Sequence, residues 1–136
     1  MRPPELTGFQ IKEIIPHLRA SGGSVIFVSS GASNTGYTAW GAYGSSKAAF
    51  NSLAQHLAVE EPYITAVAVS PGRVDTEMQR ELREKGDPGL AMAEKDYESF
   101  HSAFEQGKLN KPEWPGNVIA RLSLGAKPEL SGKYFK

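Results

Sequence analysis

The chain has 136 residues, 40% of them hydrophobic, with 15 basic and 15 acidic side chains that cancel and no cysteine. That length suits one domain able to bury a real core, the charge balance gives no footprint for nucleic acid, and the lack of cysteine excludes a disulfide framework or a thiolate metal site. No apolar run reaches the length of a membrane span and Met1-Arg2-Pro3-Pro4-Glu5 opens no apolar leader segment, so a soluble cytoplasmic protein is expected, with no nucleic-acid or membrane partner.

In chain order, the first eight residues carry prolines and a glycine and read as frayed. Phe9, Ile11, Ile14, Ile15 and Leu18 then give an amphipathic helix from Phe9 to Arg19, with Pro16 as a kink or a break near its end. After the turn signal Ser21-Gly22-Gly23-Ser24, the apolar run Val25-Ile26-Phe27-Val28 reads as a buried strand of a parallel sheet. Ser29 and Ser30 therefore stand at its carboxyl end, where open α/β sheets bind ligands.

A Gly-rich loop, Gly31 to Gly41, leads into a helix from about Ala42 to Glu61 that buries Ala48, Ala49, Leu53, Ala54 and Leu57 and ends before Pro62. Its first turns carry Tyr43 and Lys47, four residues apart and so on one helix face. A phenol ionises near pH 10, roughly, and a neighbouring ammonium favours the phenolate. Ser30, Tyr43 and Lys47 can thus converge on one pocket, with a serine to hold a carbonyl oxygen and a tyrosine to give it a proton. Trp40 and Tyr37 stand beside this site, as substrate contacts or as packed aromatics.

Ile64 to Ser70 is the second strand, and Pro71-Gly72-Arg73-Val74-Asp75-Thr76 comes after it. Thr76 can cap a short helix, Glu77 to Lys85, which stops at the turn signal Gly86-Asp87-Pro88-Gly89. A further helix runs from about Ala93 to Gln106. Met78, Leu90, Met92, Phe100 and Phe104 could line an apolar pocket there, although core packing on amphipathic helices is the simpler reading. Pro115 starts a last helix through Val118 to Leu122, and Ser131 to Phe135 forms a short third strand.

Other motifs fail. Gly31-Ala32-Ser33-Asn34-Thr35-Gly36 has the gap of a phosphate-binding loop, but Tyr37-Thr38 stand where Lys-Ser/Thr is required. Neither Gly-x-Gly-x-x-Gly nor Gly-x-Ser-x-Gly occurs, and His17, His56 and His101 lack ligand spacing.

A serine thirteen residues before Tyr43-Gly44-Ser45-Ser46-Lys47, followed after the next strand by Pro-Gly-x-Val-x-Thr, resembles the short-chain dehydrogenase/reductase family. The resemblance runs from about Phe9 to Lys136 and matches only the later half of that family's fold. It implies an α/β, partial Rossmann-like architecture: about three parallel strands with flanking helices, lacking the N-terminal dinucleotide-binding half. By the same resemblance Tyr43 is the general acid/base, Lys47 tunes it and binds the nicotinamide ribose, and Ser30 orients the carbonyl. Pro71, Gly72, Val74 and Thr76 then form the loop that meets the nicotinamide, with Val74 and Thr76 at its carboxamide. The family's helix asparagine has no counterpart, since Phe9 to Arg19 contains none.

The activity implied by the resemblance is that of an NADP-dependent carbonyl reductase, with NAD as the alternative cofactor, acting on a small-molecule ketone or aldehyde. The spellings around Trp40 and Ser70 are most similar to fungal benzil-reductase-like and sepiapterin-reductase-like members, which implies vicinal dicarbonyls or pterin side-chain ketones. The alternative is a truncated, catalytically silent derivative kept as a binding or oligomerising module. With the other half lacking, Val25 to Ser29 is expected to be an uncovered sheet edge that Met1 to Leu6 folds over or a second chain pairs with, and a homo-oligomer, a dimer by the family resemblance, is expected.

Overall fold

A computed structural model of the chain describes residues 4–85 and 92–136. Among these residues five helices and three strands follow in the order α1 (Pro4–Ser21), β1 (Ser24–Val28), α2 (Gly41–Glu60), β2 (Thr65–Val69), α3 (Glu77–Lys85), α4 (Glu94–Glu105), α5 (Glu113–Gly125) and β3 (Tyr134–Phe135). Short 3-10 turns lie at Gly31–Ser33 and Pro128–Leu130. The strands form one parallel sheet in the order β1-β2-β3, so the α/β reading with three parallel strands holds.

β2 sits between the other two strands and is buried along its whole length. Its residues alternate between two covered faces. Ala66 and Ala68 look towards a core built with Ile11 of α1, Ala54 and Leu57 of α2, Phe27 of β1 and Ile64. Alanine at these sheet positions keeps the surface low enough for Ala54 to pack down with no accessible surface left. Phe50 of α2 meets Phe27 with ring centroids 5.9 Å apart. Val67 and Val69 look the other way, and Val69 shares an apolar hollow of about 450 Å³ with Pro115, Val118, Leu122 and Phe135.

Two expectations need correction. The frayed N-terminus is helical from Pro4, because a proline at the first helical position lacks only an N–H that has no intrahelical partner there. Pro16 does not end α1, which continues to Ser21. The helix survives by its apolar contacts, Ile11 buried and Ile15 and Leu18 packed on the core, and these outweigh one missing hydrogen bond. The cover over β1 expected from Met1 to Leu6 falls outside the described residues up to Pro3, and Pro4 to Leu6 form the first turn of α1. β1 is an edge: no described strand flanks its outer side, and Val28 is 41% exposed. The turn signal at 86–89 and Leu90 also lie outside the described residues.

One ion pair clips the two helices of this layer. The Arg19 guanidinium in the last turn of α1 donates twice to Glu61, just past α2, at 2.6 and 2.5 Å. Those bonds hold the Glu61 carboxyl below its ordinary value of 4.5, against the opposing effect of desolvation. A carboxyl whose pKa falls on folding contributes stability above its unfolded value, and that contribution disappears as pH drops through the folded value. Urea midpoints measured from pH 7 to pH 3 are therefore expected to fall more steeply below about pH 4.5 for the parent than for Arg19→Met, and equal slopes would remove this linkage.

Candidate active site

The carboxyl end of β1 divides its two serines between different tasks. Ser29 is buried, its N–H donates to the Val69 carbonyl at 2.8 Å, and its Oγ reaches the Lys47 carbonyl at 3.3 Å. It ties the strand to both β2 and α2. Ser30 leaves the sheet in an extended conformation and caps the 3-10 turn, its Oγ accepting from Ala32 N at 3.2 Å. Its carbonyl accepts from Ser33 Oγ at 2.7 Å and from the Tyr134 hydroxyl of β3 at 3.2 Å. Ser33 Oγ in turn receives a bond from Asn51 of α2 at 2.9 Å.

That turn lies directly on the first turns of α2. A Cβ added at Gly44 would stand 2.7 Å from the Ala32 carbonyl oxygen, so only glycine permits this approach. The tyrosine and the serine loop are thus held together by a backbone contact between their near neighbours in sequence. The residue before α2's cap, Ala39, adopts φ +64, a left-handed conformation that costs about 1–2 kcal/mol for a residue with a Cβ. It turns the chain so that Trp40 faces inward. Trp40 packs between Tyr37, Tyr43 and Phe100 of α4, at centroid distances of 5.4, 5.6 and 5.5 Å.

Lys47 lies one helical turn beyond Tyr43, with its ammonium 5.7 Å from the Tyr43 ring centroid and 5.0 Å from that of Phe50. Its Nζ donates to the Val28 carbonyl at 2.8 Å. Partial burial pushes the Lys47 ammonium below the ordinary lysine range. The structure therefore brings Tyr43 and Lys47 together and holds the Ser30 loop on the same helix, while the Lys47 ammonium is directed to the strand and the Ser30 hydroxyl to its own turn.

The loop after β2 is fixed by a residue that carries no motif. Asn110 donates its N–H to the Arg73 carbonyl at 2.8 Å, accepts from Asp75 N at 2.9 Å, and its side chain donates to the Pro71 carbonyl at 3.1 Å. Val74 and Asn110 form a parallel bridge. Both bonds of that bridge belong to Asn110, so the peptide N–H of Val74 points to the opposite side. Gly72 meets the loop's demand for a positive φ, +74, and a Cβ there would lie 3.0 Å from the Asn110 amide nitrogen. Thr76 sits just before α3, where its carbonyl accepts from Arg80 N. Its hydroxyl donates to Val74 O at 3.4 Å, a bond back into the loop.

Arg73 connects this loop to α4. Its guanidinium donates to the Ser99 carbonyl and hydroxyl, each at 2.9 Å, and lies 4.6 Å from the Phe100 ring centroid. Phe100 is buried and stacked on Trp40. Met92 and Phe100 are thus core residues, as the simpler reading had it, while Met78 and Phe104 are exposed. Neither Asn110 nor the Arg73–Ser99 contact could be found from spacing, since both join segments distant in sequence. A cleft of about 360 Å³ opens beside the site, lined by Ser33, Asn34, Tyr37, Trp40, Gly44 and Ser45.

The chain is similar to known proteins in sequence and in fold. The family model for short chain dehydrogenases matches residues 9–87. The uncharacterized oxidoreductase YIR035C of Saccharomyces cerevisiae is 43% identical over 122 residues, which cover 89% of this chain and 48% of that protein. The benzil reductase ((S)-benzoin forming) IRC24 of the same yeast is 42% identical over 127 residues, 90% of this chain and 48% of the relative. Among solved structures, that of the KRED1-Pglu enzyme superposes with a TM-score of 0.86 at 46% identity, over 91% of this chain and 51% of the other. The chain spans about half the length of the curated relatives it matches.

The Gly44 contact is open to test. Alanine is favoured over glycine inside a helix by about 1 kcal/mol, whereas overpacking against fixed backbone costs roughly 1–3 kcal/mol. The carbonyl of Ala32 belongs to a turn held by Ser30, Ser33 and Asn51 and has little room to retreat. Gly44→Ala is therefore expected to lower stability by about 1–2 kcal/mol in urea unfolding, and a variant as stable as the parent would show that the turn is free to move.

Proposed function

The chain belongs to the short-chain dehydrogenase family, and we propose that it provides the carbonyl-reducing site of a nicotinamide-dependent oxidoreductase, with NADP as the cofactor and a vicinal diketone of the benzil type as the substrate class. The observation that carries this reading is the backbone contact of Gly44 on Ala32, which sets the Ser30 loop against the helical turn bearing Tyr43 and, one turn on, Lys47. A benzil reductase among the relatives supports the substrate class.

The residues present fit the nicotinamide end of the cofactor. The Val74 N–H faces away from the Asn110 clamp and can donate to a carboxamide, with the Thr76 hydroxyl two residues on. Lys47 would hold the ribose. The pyrophosphate end finds no Gly-x-Gly-x-x-Gly in this sequence, so these residues account for one end of the cofactor alone.

The chemistry divides simply. Bound reduced nicotinamide supplies a hydride to the carbonyl carbon. Ser30 Oγ, released from Ala32 N, donates a hydrogen bond to the carbonyl oxygen. Tyr43 gives its phenolic proton to that oxygen as negative charge develops on it, and the product is the alcohol. Lys47 beside the Tyr43 ring stabilises the phenolate that remains. Trp40 and Tyr37, tilted against each other in the lining of the adjoining cleft, offer apolar ring surface to an aryl ketone.

A second reading, a catalytically silent binding module, is favoured by one observation: the Lys47 ammonium is bonded to the Val28 carbonyl. Fluorescence titration with NADPH separates the two. The reductase reading expects saturable binding that Lys47→Ala weakens about tenfold or more, and benzil turnover that Tyr43→Phe lowers by about 100-fold or more while NADPH binding persists. Absent NADPH binding, or a Tyr43→Phe variant as active as the parent, would leave the silent reading standing.

A further inference from the structure

Arg73, half-buried in the loop after β2, directs both ends of its fork to one residue of α4. Its two terminal nitrogens donate separately to the Ser99 carbonyl and hydroxyl, each at 2.9 Å, and the same guanidinium lies 4.6 Å from the Phe100 ring centroid. A planar fork makes both bonds and stacks at the same time, which the point charge of a lysine ammonium cannot do. α4 is thereby fixed to the loop at two successive residues. The second of them carries the contact onward, since the buried Phe100 ring stacks on Trp40. Tyr97 and His101 of α4 both bond to the Arg83 carbonyl of α3, and so hold α4 to α3 and not to the loop.

We propose that Arg73 is a positioning residue that sets the preference of the cleft beside Tyr43 for aryl over alkyl carbonyl compounds, by fixing α4 and through it the Trp40 ring. The inference rests on the reductase reading for the kind of ligand the cleft receives. Trp40 lines that cleft together with Tyr37. Its ring contacts are Tyr37, Tyr43 and Phe100, at 5.4, 5.6 and 5.5 Å. Tyr37 and Tyr43 belong to the same short stretch of chain as Trp40 and shift with it, whereas Phe100 comes from another element. Phe100 is therefore the contact that ties Trp40 to the rest of the molecule, and Arg73 is the residue that holds Phe100.

Selectivity follows from preorganisation. A ring that is already fixed loses little freedom when a flat group packs on it, whereas a ring free to turn must be ordered at the moment of binding. A flat aryl group gains from a fixed aromatic wall through offset or edge contacts, and a puckered alkyl ring has no such geometry to use. Release of α4 from the loop therefore costs the aryl ligand and spares the alkyl one. Because the bonds of Tyr97 and His101 to α3 remain, loss of the guanidinium loosens α4 without detaching it.

Trp40 and Trp114 are the two tryptophans of the chain, so Trp114→Phe leaves Trp40 as the single indole reporter. In that background, NMR titration of the Trp40 indole N–H with acetophenone and with cyclohexyl methyl ketone compares a flat ring with a puckered one of the same carbon count, without cofactor or turnover. The parent is expected to bind acetophenone more tightly, and Arg73→Met to reduce that preference by about threefold to tenfold while the alkyl ketone binds as before. Trp40 emission in the free chain is expected to move to longer wavelength as its ring gains water. Arg73→Lys keeps the charge but not the fork and is expected to follow Arg73→Met, with Ser99→Ala, which loses one acceptor of two, between them and the parent. Should Arg73→Met not fold, these two variants decide. No aryl preference in the parent, equal weakening of both ketones, or an unchanged preference and emission in the folded Arg73 variants would each overturn the proposal. The reductase reading fails on other grounds, absent NADPH binding or an active Tyr43→Phe variant, neither of which alters these titrations.

Discussion

The approach of the 3-10 turn to α2 at Gly44 is the constraint on which the candidate site rests. Side chains alone would not bring the turn that follows Ser30 onto the helix that carries Tyr43. The backbone does, because Gly44 lets the Ala32 carbonyl come within the distance a Cβ would occupy. Once that contact is made, the rest is helix geometry: Tyr43 precedes the contact by one residue, and Lys47 lies one turn beyond it on the same face. The bonds from Ser33 to Ser30 and from Asn51 to Ser33 keep the turn from peeling away.

Much of this is legible in the sequence because it is local. β1 and β2 are evident as short apolar runs bounded by turn signals, and the start and end of α2 come within a residue of the expected range. The boundaries of α3 are evident from Thr76 and Lys85. The misreadings are also local, and both concern proline. At Pro4 it marks a helix start rather than disorder, and at Pro16 it sits inside a helix that packing sustains. What the sequence does not show are bonds between distant segments: Arg19 to Glu61, Arg73 to Ser99, and Asn110 to the Pro71 loop. No spacing rule connects such residues, and Asn110 in particular sits in a polar stretch between Lys108 and Lys111 with nothing to distinguish it.

Lys47 shows how a motif can be present while its chemistry depends on context. The tyrosine-to-lysine spacing guarantees a shared helix face, but it does not specify what the ammonium will bond. In this chain the acceptor it takes is a carbonyl on the open side of β1. A partly buried ammonium needs a strong acceptor to offset desolvation, so it takes one that the sheet edge leaves vacant. The spacing of the motif therefore sets the helix face of its lysine and not the acceptor that the ammonium takes.

The loop after β2 and the helix α4 are joined by a similar dependence. Arg73 occupies the variable position of Pro-Gly-x-Val, yet its guanidinium holds the Ser99 carbonyl and hydroxyl and covers the Phe100 ring. Phe100 stacks on Trp40, and Trp40 meets Tyr43 edge-on. A continuous line of contacts therefore runs from the loop that would face a nicotinamide, through α4, to the tyrosine that would protonate the substrate. The charged bonds to Ser99 are each worth more than one aromatic contact, so the firmest link in this line is the one between the loop and α4, and the weaker aromatic link lies on the side of Trp40, which also lines the cleft beside Tyr37.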